Sequence, residues 1–181
     1  MKIMFASDIH GSAYYCGKML QAYGEEKASR LILLGDVLYH GPRNDLPRDY
    51  SPKSVTKMLN ERKQEIYAVR GNCDSEVDQT MLEFPIMADY AVVLLEKHAI
   101  YATHGHIYNK DNLPPMQRDD ILIHGHTHLY TAHRGEEYVL INPGSVSLPK
   151  ENNIPTYGIL EDHIFTIKGF NNEIVKVLDL G

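Results

Sequence analysis

Five times along this chain of 181 residues, a short apolar stretch gives way to a tight turn carrying side chains able to hold a metal ion. The five places are Asp8-Ile9-His10, Gly35-Asp36, Gly71-Asn72-Cys73-Asp74, His104-Gly105-His106 and Gly125-His126-Thr127-His128. Polar groups set repeatedly where buried strands stop are costly in a core unless something ligates them. In parallel α/β sheets the carboxyl ends of the strands lie along one edge, so several such endings can converge on one point. The pattern therefore demands a fold that lays these strands side by side.

The flanking segments agree. Residues 2–7 and 31–34 are continuous apolar runs, as expected of strands buried on both faces. Between them Ser12 suits a helix cap, and Tyr15, Cys16, Met19, Leu20 and Tyr23 form a stripe at helical spacing that stops before Gly24. Ser51 and Pro52 suit the cap and first turn of a second helix, with Val55, Met58 and Leu59 facing inward, ahead of a strand at 66–69. A short helix is expected after Asp74, running to Leu82. Beyond it the texture turns strand-rich and mostly antiparallel, with strands expected at 89–95, 99–103, 121–124, 128–133, 138–142, 156–161 and 164–169. Loops 36–51 and 105–120 are long, which marks both as candidates for a pocket rim. The whole reads as an α/β sandwich.

Composition excludes other classes. The length suits one domain with a sizeable core, expected over residues 1–181. Lys plus Arg number 18 against 24 for Asp plus Glu, a net charge of −6 that argues against a nucleic-acid partner or a membrane-binding surface. No run of roughly 18 apolar residues is present, and the apolar start before Asp8 is too brief for a signal-peptide core. Cys16 and Cys73 stand far apart without CxxC spacing, which supports neither a disulfide framework nor a thiolate zinc site. A cytoplasmic location is expected.

Ten histidines are many for this length, and five fall between His104 and His128. Residues two apart in extended chain project to one side, which pairs Asp8 with His10 and His126 with His128. Oxygen and imidazole donors without thiolate suit divalent Mn, Fe, Zn or Ni. Asp8, His10, Asp36, Asn72, His104, His126 and His128 outnumber the roughly three protein ligands of a single catalytic zinc. Two neighbouring ions account for the surplus, with Asp36, alone in its turn, as the bridging carboxylate.

With these blocks in order, the chain resembles the calcineurin-like metallophosphoesterases, whose signature is DxH, GD, GNH followed by Asp or Glu, a His before Gly, and GHxH. The likeness is greatest to the small bacterial YfcE-type phosphodiesterases and extends into Asn142-Pro143-Gly144-Ser145. It implies two packed mixed β-sheets flanked by helices and an enzyme with two divalent ions, often manganese. Asp8, His10, Asp36 and His128 would hold one ion, and Asp36, Asn72, His104 and His126 the other. The implied reaction is hydrolysis of a small-molecule phosphodiester by a metal-bridging hydroxide, around a site keeping about one net positive charge. A phosphomonoesterase of the same fold and a protein-binding scaffold like the retromer subunit are the alternatives. A homodimer is the ordinary expectation for a small enzyme.

One block departs from the signature. Where GNH places a histidine, thought to protonate the leaving oxygen while the acidic residue after it orients the ring, this chain has Cys73 followed by Asp74. A thiol is a weaker proton donor near neutrality than an imidazole, so easily expelled leaving groups should be favoured. Asp36, Asn72, Cys73 and Asp74 are thus the candidate catalytic residues. His106 and His124 lie beside the motifs without matching ligand positions, and His40, His98, His133 and His163 read as surface or turn residues. Arg43 and Asn44, in the first long loop, are candidates for touching phosphate.

Overall fold

A computed structural model describes residues 1–181 throughout. The chain runs β1 (Lys2–Ala6), α1 (Ala13–Glu26), β2 (Arg30–Leu33), α2 (Pro52–Asn60), β3 (Ile66–Ala68), α3 (Glu76–Met81), β4 (Tyr90–Leu94), β5 (Ala99–Thr103), β6 (Ile121–His124), β7 (Thr131–Arg134), β8 (Val139–Asn142), β9 (Thr156–Glu161), β10 (Ile164–Gly169) and β11 (Ile174–Asp179). Two mixed sheets result, one of six strands ordered β11-β10-β9-β1-β2-β3 and one of five ordered β4-β5-β6-β8-β7.

The apolar run of β1 is continuous because both its faces are buried. Met4 and Ala6 join the core beneath the helices with Leu31, Leu33, Met19 and Leu59, whereas Ile3 and Phe5 point between the sheets with Ile32, Ile100, Ile121 and Ile123. Helix α1 starts as expected, Ser12 Oγ accepting the Tyr15 N–H at 3.3 Å. It does not stop at Gly24. The helix continues to Glu26 and closes on Lys27, whose left-handed backbone aims its N–H at the Gly24 carbonyl. Ser51 precedes α2 but makes no capping bond, pairing its hydroxyl with that of Ser54 at 2.8 Å.

What positions the site is the direction of the strands. β1, β2 and β3 are parallel neighbours in the first sheet, and β5 and β6 are parallel neighbours in the second. Antiparallel pairing is common in the second half, as expected, but β5–β6 and β6–β8 are parallel there. Five carboxyl ends therefore open on the same edge of the sandwich. β7 begins at Thr131 rather than 128, because His128 sits in the turn before it with φ 61°. β11 was not expected; it is an edge strand with mostly exposed residues. Of the two long loops, residues 36–51 reach the site, and so does the start of 105–120, where His106 meets the His104 ring edge-on at 5.3 Å; the rest of that loop runs over the outer side of the five-stranded sheet, where Tyr101 donates to the Pro115 carbonyl at 2.9 Å and Tyr108 meets Tyr90 edge-on.

Candidate metal centre

All seven candidate ligands come together at this edge. Asp8 and His10 follow β1, Asp36 follows β2, Asn72 follows β3, His104 follows β5, and His126 and His128 follow β6. Asp8, His10, Asp36, His104 and His128 are buried. Five of the seven, Asp8, His10, Asp36, His126 and His128, have left-handed backbones with φ between 49° and 66°. A non-glycine residue rarely adopts that region, and such strain gathers at sites where the geometry serves function.

Glycines allow the turns to close on one another. A Cβ at Gly71 would overlap the Asp36 carboxylate and backbone nitrogen, and one at Gly125 would overlap Ser7 Oγ. Asp74 locks two turns at once: its carboxylate accepts the N–H groups of Asp36 (2.8 Å), Val37 (2.9 Å) and Gly71 (2.7 Å). None of these bonds goes to the side chain at position 73, so Asp74 positions the Asp36 turn rather than the group beside it.

Hydrogen bonds set the direction of each imidazole lone pair. His10 Nδ1 lies 2.8 Å from the Tyr39 carbonyl, His128 Nδ1 2.5 Å from the Leu148 carbonyl, and His104 Nδ1 2.7 Å from the Leu34 carbonyl. A carbonyl only accepts, so Nδ1 carries a proton in each ring and Nε2 is the nitrogen left facing the site, where an ion would replace any second proton. On one side His10 Nε2 and His128 Nε2 stand 3.6 and 3.2 Å from Asp8 Oδ1, an oxygen that is fully buried and has no hydrogen-bond donor. On the other, His104 Nε2 lies 3.0 Å from Asn72 Oδ1, 3.2 Å from His126 Nδ1 and 3.4 Å from Asp36 Oδ2. The same Asp36 oxygen is 3.6 Å from His10 Nε2. Two groups of acceptors thus share one carboxylate oxygen.

Converging acceptors repel unless positive charge lies among them. Burial lowers the proton affinity of His104, but Asp36 and Asp8 outweigh it and raise the pKa to about 9. Burial pushes Asp8 up, and the facing His10 and His128 bring it well below the usual carboxylate range. Burial and the neighbouring His104 lower His126 to about 4, leaving its ring neutral. Four imidazoles, two carboxylates and an amide oxygen make a donor set that fits divalent transition metals. Overlapping groups of donor atoms within 4.8 Å of one another are Asp8 with His10 and His128, Asp8 with Asp36 and His104, and His10 with Asp36 and Cys73. Burial and Asp36 push the Cys73 thiol up to about 12, so it stands there as a neutral S–H.

Other residues support the turns, and among them Ser147 was not singled out. The hydroxyls of Ser145 (3.0 Å) and Ser147 (2.9 Å) both donate to the Asp8 carbonyl, a pair whose spacing of two was the available signal. Asn142 Nδ2 holds the Gly125 carbonyl at 2.8 Å and Thr127 Oγ1 at 3.0 Å. His124 Nδ1 rests on the Gly125 carbonyl at 3.0 Å. His40, expected at the surface, is partly buried between the rings of Tyr39 and Tyr50.

The centre opens into a cavity of about 750 Å³ lined by Asp36, Asn72, Cys73, His126, His128 and the loop carrying Tyr39, Arg43 and Asn44. A cavity of about 760 Å³ lies at the opposite end, against Met1, Leu94 and His98, and contains none of the seven residues. Chemistry, not volume, separates the two.

Comparison with known proteins bears on what this centre is. The description "Calcineurin-like phosphoesterase superfamily domain" matches residues 1–163. The phosphodiesterase YfcE of Escherichia coli strain K12 is 47% identical over 175 residues, covering 97% of this chain and 95% of that protein. A solved structure of YfcE, described as a phosphoesterase from E. coli, superposes with a TM-score of 0.97 at 46% identity over 100% of both chains. Vps29 from Entamoeba histolytica, at 19% identity, a TM-score of 0.63 and 99% coverage of each chain, shares the fold alone. The strand-end motifs, the paired mixed sheets and these matches agree: this chain belongs to the calcineurin-like phosphoesterase superfamily.

Proposed function

We propose that this chain is a phosphodiesterase acting on small molecules with two divalent ions, preferably manganese, as cofactors. Residues 1–181 would work as one domain, in the cytoplasm, with neither nucleic acid nor membrane as partner and with a homodimer as the assembly. The observation that carries the reading is the meeting of three carbonyl-fixed imidazole Nε2 atoms with the donorless Asp8 Oδ1 and with Asp36 Oδ2. The relation to a curated phosphodiesterase at 47% identity supplies the bond class.

Asp8, His10, Asp36 and His128 would hold one ion and Asp36, Asn72, His104 and His126 the other. Bound there, the ions supply Lewis-acid polarisation of the phosphoryl oxygens and a water acidic enough to become the in-line nucleophile near neutrality. The chain's part is preorganisation. Asp74 holds the Asp36 turn, Ser145 and Ser147 hold Asp8, and the three carbonyls keep the Nε2 of His10, His104 and His128 turned toward the positions the ions would take. Cys73 lies beside Asp36, its N–H donating to Oδ1 at 2.8 Å, where its neutral thiol faces the cavity as a weak proton donor.

A protein-binding scaffold has no use for five strained residues around a carboxylate oxygen without a donor, so an enzyme is the preferred reading. Turnover of bis(4-nitrophenyl) phosphate and of 4-nitrophenyl phosphate, with added manganese, tests the bond class. Diester hydrolysis exceeding monoester hydrolysis is expected; the reverse order would make the chain a monoesterase.

A further inference from the structure

We infer that Arg43 and Lys150 form a second anion-binding point in the cavity, making the preferred substrate a small diester whose retained ester arm carries another phosphate or carboxylate. The inference rests on the phosphodiesterase reading and adds the class of substrate to it. Both residues line the cavity of about 750 Å³ that contains Asp36, Asn72, His126 and His128. The carboxylates lining that cavity are Asp36, turned to His10 and His104, and Asp74, filled by three backbone N–H groups. Neither Arg43 nor Lys150 forms an ion pair with any carboxylate of the chain, although acids outnumber bases by six. Two cations left uncompensated in the cleft of an acidic protein focus potential on whatever enters it.

Their loops are also tied to the centre. The Lys150 N–H donates to the carbonyl of His128 at 3.3 Å, and the Leu148 carbonyl just before it accepts from the His128 ring. Arg43 sits in a tight turn in which Asn44 donates through its backbone N–H to Gly41 and through Nδ2 to His40. That turn presses on the centre: a Cβ on Gly41 would lie 3.0 Å from Cys73 Sγ. The scissile phosphate of a diester has one negative charge, which the centre itself would meet. A guanidinium fork and an ammonium beyond it are matched by a further anionic group, phosphate or carboxylate.

The test compares three diesters sharing a 4-nitrophenolate leaving group, with a retained arm ending in ethyl, in a carboxylate or in a phosphate. The wild-type enzyme should show a kcat/KM for an anionic arm about tenfold above that for ethyl, by way of KM, with the gain shrinking as salt rises. The Arg43→Ala/Lys150→Ala variant should bring the ratio near one, and Arg43→Lys/Lys150→Arg should restore most of it, an outcome that charge predicts and loop structure does not. The carboxylate and phosphate arms distinguish which anion is preferred. Equal kcat/KM for all three diesters in the wild type, or a ratio unchanged in the double Ala variant, overturns the inference while leaving diesterase activity intact. Absence of turnover on the ethyl diester as well would instead refute the phosphodiesterase reading.

Discussion

His10 Nε2 and His128 Nε2 face each other at 3.3 Å, though 118 residues separate them in the chain. Each ring donates its Nδ1 proton to a backbone carbonyl, so the two Nε2 atoms turn to each other, with Asp8 Oδ1 beside both. A divalent ion bound among these three atoms would stabilise the fold by mass action, by about 2.7 kcal/mol at a hundredfold excess over Kd. Thermal unfolding with manganese and with a chelator measures this. A midpoint rise of several degrees with manganese is expected, and coincident curves would speak against binding here.

Replacing Cys73 by His should widen the range of leaving groups. The thiol, pushed up to about 12 by burial and Asp36, is poorly matched to protonating an alkoxide, whereas general acid catalysis by a positioned imidazole is worth roughly 10²-fold or more. The kcat for an alkyl diester should rise in Cys73→His while that for a nitrophenyl diester changes little. A uniform change for both would place the side chain outside proton transfer.

Gly71→Ala is expected to disable the centre through a single methyl group. The new Cβ would overlap the Asp36 carboxylate and its backbone nitrogen, forcing the shared oxygen to move. Displacements of about 1 Å at a reacting centre cost on the order of a hundredfold in rate. Activity and manganese content should fall together while far-UV circular dichroism stays near wild type; a fully active variant would show the close approach to be dispensable.

A prediction away from the centre concerns Glu26. Its carboxylate collects Lys168 (2.5 Å), Lys2 (3.3 Å) and the Tyr157 hydroxyl (3.2 Å), joining α1 to β1, β9 and β10. Burial pushes this carboxyl up, but Lys168 and Lys2 outweigh it and hold it below its ordinary value. The stabilisation is therefore complete above the unfolded value of about 4.3 and disappears as pH falls through the lower folded one. Glu26→Gln should cost about 1–3 kcal/mol at pH 7 in urea unfolding, with the gap closing toward pH 3. A gap of equal size at both pH values would contradict the sign of this linkage.

The strand-end grammar made the centre legible because each candidate ligand sits within a few residues of a buried run, where local pattern and tertiary position coincide. β1, α1 and β9 followed from continuous or striped apolar residues. β11 was invisible because its pattern is irregular: Val175 and Leu178, which pack against the core between the sheets, are three residues apart across a register shift with β10, while Ile174 and Val177 are exposed. The start of β7 was misplaced because His128 looks like the first residue of a strand, while its left-handed backbone belongs to the turn. Gly24 looked like a helix stop, but the Lys27 closure three residues on decides the end. The roles of the Tyr39, Leu34 and Leu148 carbonyls have no sequence signal, since every residue carries one. Lys150 was unmarked as well, as only the fold brings it over His128.

Elemental analysis after equilibration with manganese, on the wild type and on Asp36→Ala and His126→Ala, addresses the shared carboxylate most directly. Two ions per wild-type chain are expected, together with loss of metal and of diester turnover in both variants. Full turnover by a metal-depleted His126→Ala protein, or no ion retained by the wild type, would contradict the account.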